Sequence, residues 1–203
     1  STFVMPDADK TLYAKWTIKQ HTVLFGKQGN GAITAKVGST SINSGDKVNY
    51  GSTIVFTATP STGYQIEGWY SNSACTEPID NGTNDTYTVT ITGGTNVYVK
   101  FKAKEYTITY KDQNNANFSG THADSHPTIH TYGTTTTLKD ASKAGYTFDG
   151  WFTTSACTGI AVSSLGATDY TSNITLYAKW TESQAKHNVR VLYMCGDVVV
   201  KDA

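Results

Sequence analysis

The stretch "GYTFDGWFTTSACT" at 145–158 decides how this chain is read, because the chain writes it twice: "GYQIEGWYSNSACT" stands at 63–76. A doubled motif has three explanations. It is a binding site used twice, a reactive cysteine used twice, or the core of a module copied in tandem. Spacing discriminates among them. Trp69 and Trp151 lie 82 positions apart, as do Cys75 and Cys157. "TLYAKWT" at 11–17 returns at 175–181, twice that distance, and a weaker copy, "NVYVKFK" at 96–102, falls between. Unit openings recur as "KQHTVLF" at 19–25, "AKEYTITY" at 103–110 and "AKHNVRVLY" at 185–193. A fixed period running through the chain is the mark of a repeated module.

The repeat predicts four pieces: residues 1–17 as the end of a preceding unit, 18–103 and 104–182 as complete units, and 183–203 as the start of a further one. On this reading the chain is cut from a longer array. A period near 82 residues is longer than the roughly 20–50 of solenoids and propellers. It suits a small domain that buries its own core, close to the lower size limit for doing so.

Within 104–182, "YTITYKD" alternates Tyr106, Ile108 and Tyr110 against Thr107, Thr109 and Lys111, the period-two pattern of a strand with one buried face. "TIHTYGTTTTL" reads as a return strand with a turn or bulge at Gly133. "YTFDGWF" reads as a third strand, in which a bulge at Gly150 lets Trp151 join Tyr146 and Phe148 on the inner side. "NITLYAKW" closes the unit with Leu176, Ala178 and Trp180 inward. The other copies place Leu12, Ala14 and Trp16, and Val97, Val99 and Phe101, in the same way. "SSLGATDY" at 163–170 is the best candidate for a helical turn, and "KDASKAG" at 139–145 could hold another. The expected fold is mainly β: tandem small modules of about four to five strands, each with one short helix or helical turn. Its core is Tyr64, Ile66, Trp69, Tyr146, Phe148, Trp151, Leu176, Trp180, Leu12, Trp16 and Phe101.

Composition narrows the function. Net charge is +0 and 16% of the 203 residues are charged, so nothing attracts nucleic acid or an anionic membrane. No apolar run is long enough for a membrane span, and Ser1–Pro6 has neither the basic nor the apolar region of a signal peptide. The 3 cysteines, Cys75, Cys157 and Cys195, form no C-x-x-C pair. Cys75 and Cys157 occupy equivalent places in successive units, too far apart to bridge, and "SACT" has no neighbouring cation to activate a thiol. Both are expected to be free and packed.

The residues and their order, "GYTFDGWFT" followed by "ITLYAKW", resemble the Listeria–Bacteroides repeat, the B-repeat of internalin-type surface proteins, over most of 104–182. Residues 18–103 resemble the related divergent B-repeat, with Gln65-Ile66-Glu67 for Thr-Phe-Asp and Phe101 for Trp. The resemblance implies a β-grasp-like fold, secretion, and tandem arrays on bacterial cell surfaces. It carries no catalytic residues; the residues it carries over are structural, Gly145, Tyr146, Phe148, Gly150, Trp151, Leu176, Tyr177 and Trp180.

The remaining candidates each have a plainer reading. Trp69 and Trp151 could form a sugar-stacking platform, but their periodic neighbours favour the core. Tyr13, Tyr98 and Tyr177 face outward and are the better ligand surface. "THADSHPTIH" at 121–130 offers His122, Asp124, His126 and His130 as metal-ligand types. Pro127 opposes a helix there, and a loop between strands is the plainer reading. Four sequons, at Asn81, Asn84, Asn117 and Asn173, matter only with eukaryotic glycosylation. No acid–base pair, nucleophile arrangement or phosphate loop is present; "GKQGNG" at 26–31 reads as a hairpin turn. No cofactor is expected.

These features predict a non-catalytic segment of a bacterial cell-surface or secreted protein, its repeats serving as a spacer or adhesive rod. The short joints "TIK", "AKE" and "ESQA" favour a semi-rigid, elongated arrangement. The alternatives are a module recognising a host or cell-envelope protein or glycan through exposed aromatics or the 114–130 loop, and an accessory module of an extracellular hydrolase. The unpaired strands at residues 1–17 and 185–200 are expected to pair with a neighbouring unit or another chain.

Overall fold

A computed structural model describes Asp9, Thr11, residues 13–80 and 82–183, and the backbone of Leu192–Cys195 and Val198–Asp202. The chain divides into two compact units, Ser1–Lys104 and Glu105–Ala203. Both are almost entirely β.

In the first unit β1 (Gln20–Gln28), β2 (Gly31–Val37), β3 (Thr40–Ile42), β4 (Lys47–Asn49), β5 (Thr53–Pro60), β6 (Tyr64–Tyr70), β7 (Pro78–Asp80), β8 (Thr86–Thr90) and β9 (Thr95–Ala103) follow one another. They form a sheet of order β4-β1-β9-β6-β7 and a sheet of order β3-β2-β5-β8. Period-two patterning decides which side chains go inside. In β5 Ile54, Phe56 and Ala58 are buried while the intervening residues are exposed. Val97, Val99 and Phe101 of β9 are buried in the same alternation, with Tyr98 and Lys100 between them half-buried. With Val23, Ile66, Trp69 and Ile91 they make one core.

The second unit holds β10 (Glu105–Asp112), a short 3-10 turn (Gln113–Asn115), β11 (Thr121–His122), β12 (Ile129–Thr131), β13 (Thr136–Thr137), β14 (Ala141–Ser142), β15 (Tyr146–Phe152), β16 (Ser164–Leu165) and β17 (Ile174–Glu182). Its main sheet runs β12-β10-β17-β15, with two small ladders, β11-β14 and β13-β16, beside it. Ile108, Leu165, Ile174, Leu176, Ala178 and Trp151 fill its core. Beyond it, β18 (Leu192–Cys195) and β19 (Val198–Asp202) pair antiparallel with each other.

In each unit the first strand lies parallel to the last. Val23–Gln28 runs beside Thr95–Lys100, and Ile108–Asp112 beside Ile174–Ala178. The repeated G-Y-x-[I/F]-[E/D]-G-W strand flanks the last strand antiparallel, and both copies break register just before the second Gly of the motif, between Ile66 and Gly68 and between Phe148 and Gly150. Gly150 has φ 118, a left-sided backbone few side chains tolerate, and this bulge turns Trp151 inward.

Helical turns were expected once per unit. Among the described residues only the turn at Gln113–Asn115 is helical, and Asn114 inside it has φ 59. "SSLGATDY" is not helical: Leu165 is fully buried and pairs with Thr136 through β16. Eight residues without an apolar i, i+4 pair cannot repay helix nucleation, whereas one buried Leu on a two-residue ladder anchors the segment. "KDASKAG" likewise carries β14.

Candidate functional site

The paired Gly-Trp motifs are the place to begin, since a repeated functional site would lie there. Trp69 and Trp151 are both buried. Each indole N–H is taken up by backbone: Trp69 Nε1 donates to Asn84 O at 3.1 Å, and Trp151 Nε1 to Lys139 O at 2.8 Å. The partner segment differs. Asn84 lies after the motif strand and Lys139 before it, so the same Trp pins a different loop in each unit. Tyr87 stacks on Trp69 at 5.8 Å, and Phe148 meets Trp151 edge-on at 5.1 Å. No face of either indole is left for a sugar.

The serine-alanine-cysteine-threonine turns are equally closed. Cys75 and Cys157 are free and buried. Both have positive φ, 51 and 50. Cys75 N donates to Asn72 O and Cys157 N to Thr154 O, so each cysteine closes a tight turn. Burial pushes both thiols up from their ordinary pKa, with Lys100 and Lys179 pulling weakly the other way. A thiol held protonated in a packed turn is not a nucleophile.

One polar network was not read from sequence. Asp112, at the end of β10, is buried. Its Oδ2 accepts from the backbone N–H and the hydroxyl of Ser119, and its Oδ1 accepts from Trp180 Nε1 at 2.8 Å. Both of its oxygens hold Trp180 and the loop after the 3-10 turn. The signal available in the sequence was the acidic residue ending the first strand of the one complete unit that closes with Trp.

The histidine loop does not form the metal cluster considered for His122, Asp124, His126 and His130. Among the described residues no three of His, Cys, Asp and Glu come together. His122 and His126 stack face to face, ring centres 4.0 Å apart and planes 8° off parallel. Imidazole lone pairs lie in the ring plane, so parallel stacked rings do not converge on one ion. His130 is elsewhere, fully buried, with Nδ1 2.8 Å from Thr136 Oγ1. Asp124 is exposed.

The other expected residues fall as follows. Ile66, Phe101 and Leu176 are buried. Tyr64, Phe148 and Trp180 are half-buried. Tyr146 is 40% exposed and lies under the Lys143 amine, 4.2 Å from ring centre, a rim contact and not a core residue. Trp16, expected inside, is 91% exposed, because residues 13–19 pair with no sheet. Leu12 lies outside the described residues. Of the outward tyrosines, Tyr13 is 90% exposed, whereas Tyr98 and Tyr177 are half-buried. Tyr98 covers the space above Gly26. An open depression of about 350 Å³ in the first unit is lined by Tyr64, Gln65, Ile66, Asp85, Lys102 and Lys104 among others. It gathers no acid, base and nucleophile arrangement.

Comparison with known proteins assigns both repeats to families. Residues 21–105 match the divergent InlB B-repeat domain, and residues 106–179 match the Listeria-Bacteroides repeat domain. Two relatives come from Evansella cellulosilytica. One, named "Putative membrane protein", is 28% identical over 178 residues, 84% of this chain and 22% of the relative. Another, named "Putative Gly-rich membrane protein", is 26% identical over 181 residues, 88% of this chain and 18% of the relative. The chain thus spans about a fifth of the length of these relatives. No helix among the described residues is long and apolar enough to cross a membrane. No solved structure matches the chain. The chain belongs to the B-repeat families found in bacterial surface proteins, a divergent InlB B-repeat domain followed by a Listeria-Bacteroides repeat domain.

Proposed function

We propose that this chain is a non-catalytic segment of a bacterial cell-surface or secreted protein, whose β-grasp-like units serve as a spacer rod outside the cell. One observation carries the reading: every chemically distinctive residue of the repeated motif is spent on holding its own unit together. Both indole N–H groups end on backbone carbonyls and both thiols are buried; outside the motif, both oxygens of the Asp112 carboxylate are bonded by Ser119 and Trp180. The parallel pairing of first and last strands at the middle of each main sheet supports the β-grasp-like description. The adjoining of the units at Lys104–Glu105, without a long linker, supports a spacer.

Binding arrays test this. The purified chain, probed against glycans and host-cell surface proteins, is expected to show no saturable binding. Saturable binding that is lost on Tyr98→Ala or Tyr177→Ala would replace the spacer with a recognition module.

A further inference from the structure

The second unit carries three histidines within nine positions, His122, His126 and His130, and the first unit has only His21. The structure puts all three against the unit's own aromatic core. Phe118, His122 and His126 form a continuous stack, with ring centres 4.2 Å and 4.0 Å apart. Tyr110 packs edge-on against His122 at 4.6 Å and His126 at 5.7 Å, and it touches Trp151 at 4.7 Å. His130 sits just beyond the loop, on β12, fully buried, with its Nε2 lacking any hydrogen-bond partner. The loop itself is lightly tied. Between Ser119, held on Asp112, and β12, which is paired to β10 over Ile129–Thr131, its ties are the two-residue β11-β14 ladder, Tyr110 Oη to Pro127 O at 2.6 Å, and Ile108 N to Thr128 O at 2.8 Å. Ser125 at its tip has φ 57.

We propose that the loop from Phe118 to Thr128, ending where β12 begins, is an acid-released clasp: proton uptake by His122 and His126 lifts it from the Tyr110–Trp151 face of the second unit, while the first unit stays closed. The charges that surround it favour release. Two imidazolium rings stacked at 4.0 Å repel, and neither has a carboxylate bonded to it among the described residues. Facing the stack are Tyr110 from β10, whose phenol burial pushes up to about 12, and Trp151 from β15, which carries no charge. Asp124 at the tip is exposed, and of Asp140 and Lys143 flanking β14, Lys143 lies over Tyr146. Around His130 stand Thr136, Tyr170 and Tyr106, with Asp169 the only carboxylate that acts on it. With both ring nitrogens protonated, His130 would be a buried cation whose Nε2–H has no acceptor. Burial, then the neighbouring ring of His126, pushes His122 down; burial pushes His130 down against the opposing pull of Asp169. The sign follows. A histidine held below its free value takes its proton preferentially when the loop is off, so release grows as pH falls through about 6.5. The clasp is independent of whether the units act as a spacer or bind a partner.

The test uses the indole N–H groups of the two units as paired reporters. Hydrogen exchange of the Trp151 and Trp69 indoles is followed by NMR from pH 7.5 to 5, corrected for intrinsic exchange. Trp151 protection is expected to fall about tenfold for each pK unit by which the loop holds a histidine down, with Trp69 unchanged. His122→Phe, which keeps the stack without the charge, and His126→Asn are each expected to blunt the fall. Equal responses from Trp151 and Trp69, or an undiminished response in both variants, would overturn the clasp. If a variant misfolds at pH 7.5, the ring shifts of the unaltered chain decide. His122 titrating at or above the free value of about 6.5 overturns the proposal, and titration below it with loss of the Tyr110 contacts supports it.

Discussion

Trp180 Nε1 donates to Asp112 Oδ1 at 2.8 Å, and the pair is absent from the first unit in both members at once. Asp112 stands opposite Ala178 in the parallel ladder, and the residue standing opposite Val99 in the first unit is Lys27. Two positions further along, Trp180 is matched by Phe101. A phenyl ring needs no acceptor, and Lys27 turns its amine to Gly29 O at 3.1 Å. The two repeats therefore differ by a coupled exchange, indole with carboxylate against phenyl with ammonium. Removing the acceptor alone leaves the N–H groups of Trp180 and Ser119 unpaired. Asp112→Ala is expected to cost about 2 kcal/mol, and the same change in a Trp180→Phe background about 1 kcal/mol less. Urea unfolding of the four proteins, read by signals of the second unit, checks this. Additive costs would dissolve the coupling.

Trp151 separates packing from hydrogen bonding. Trp151→Ala empties a core position and is expected to cost about 3–5 kcal/mol. Trp151→Phe keeps much of the volume but strands Lys139 O, for a loss of about 1–2 kcal/mol. Thermal unfolding should show the second unit weakened in both variants and the first unit unaffected. No loss in Trp151→Phe would mean that the hydrogen bond contributes nothing, and equal losses would mean that the ring's packing adds nothing to it.

Gly31 and Gly93 predict opposite outcomes for one substitution. A Cβ on Gly31 would sit 2.5 Å from the Phe101 ring, which is buried and has nowhere to go. Gly31→Ala should destabilise the first unit by about 1–3 kcal/mol. A Cβ on Gly93 meets nothing within 4 Å, and Gly93→Ala should be neutral or stabilise by up to about 1 kcal/mol. Comparing urea midpoints of the two variants decides the matter; an unchanged midpoint for Gly31→Ala would show that Phe101 yields.

Cys75 and Cys157 should resist alkylation in the folded chain. Burial raises both thiols, so at pH 8 little thiolate forms, and reagent reaches them only through local opening. Site-resolved mass spectrometry after iodoacetamide is expected to show labelling slower than in urea by about two orders of magnitude. The folded-state rate should still be climbing as pH approaches 9. Labelling at the denatured rate would show that the turns are open.

Period-two alternation made the strands legible: Leu176 and Ala178, Val97 and Val99, and Ile108 are buried on the faces their spacing assigns. The Gly-Trp bulge was legible too, because a glycine two residues into an aromatic alternation has little other use. What could not be read depends on partners distant in sequence. Asp112 looked like one more surface carboxylate until the fold brought Trp180 to it across 68 positions. His130 looked like its neighbours in the loop, and only its register opposite Tyr106 buries it. Tyr146 had the right spacing for the core, but Lys143 covers it at the rim. Trp16 carries the same local sequence as Trp180 and shares none of its burial, since sequence alone does not say whether a sheet is there to receive it.

The parallel neighbouring of first and last strands bears on how each unit meets tension. The chain enters along one strand and leaves along its immediate neighbour, which points the same way. A pull on the two ends therefore drags the pair past each other lengthwise, from Val23 beside Thr95 to Gln28 beside Lys100, and from Ile108 beside Ile174 to Asp112 beside Ala178. The hydrogen bonds of each ladder carry that load together, where an antiparallel pair pulled from its open end would surrender them one at a time. Each unit is thus loaded in shear along its central pair of strands.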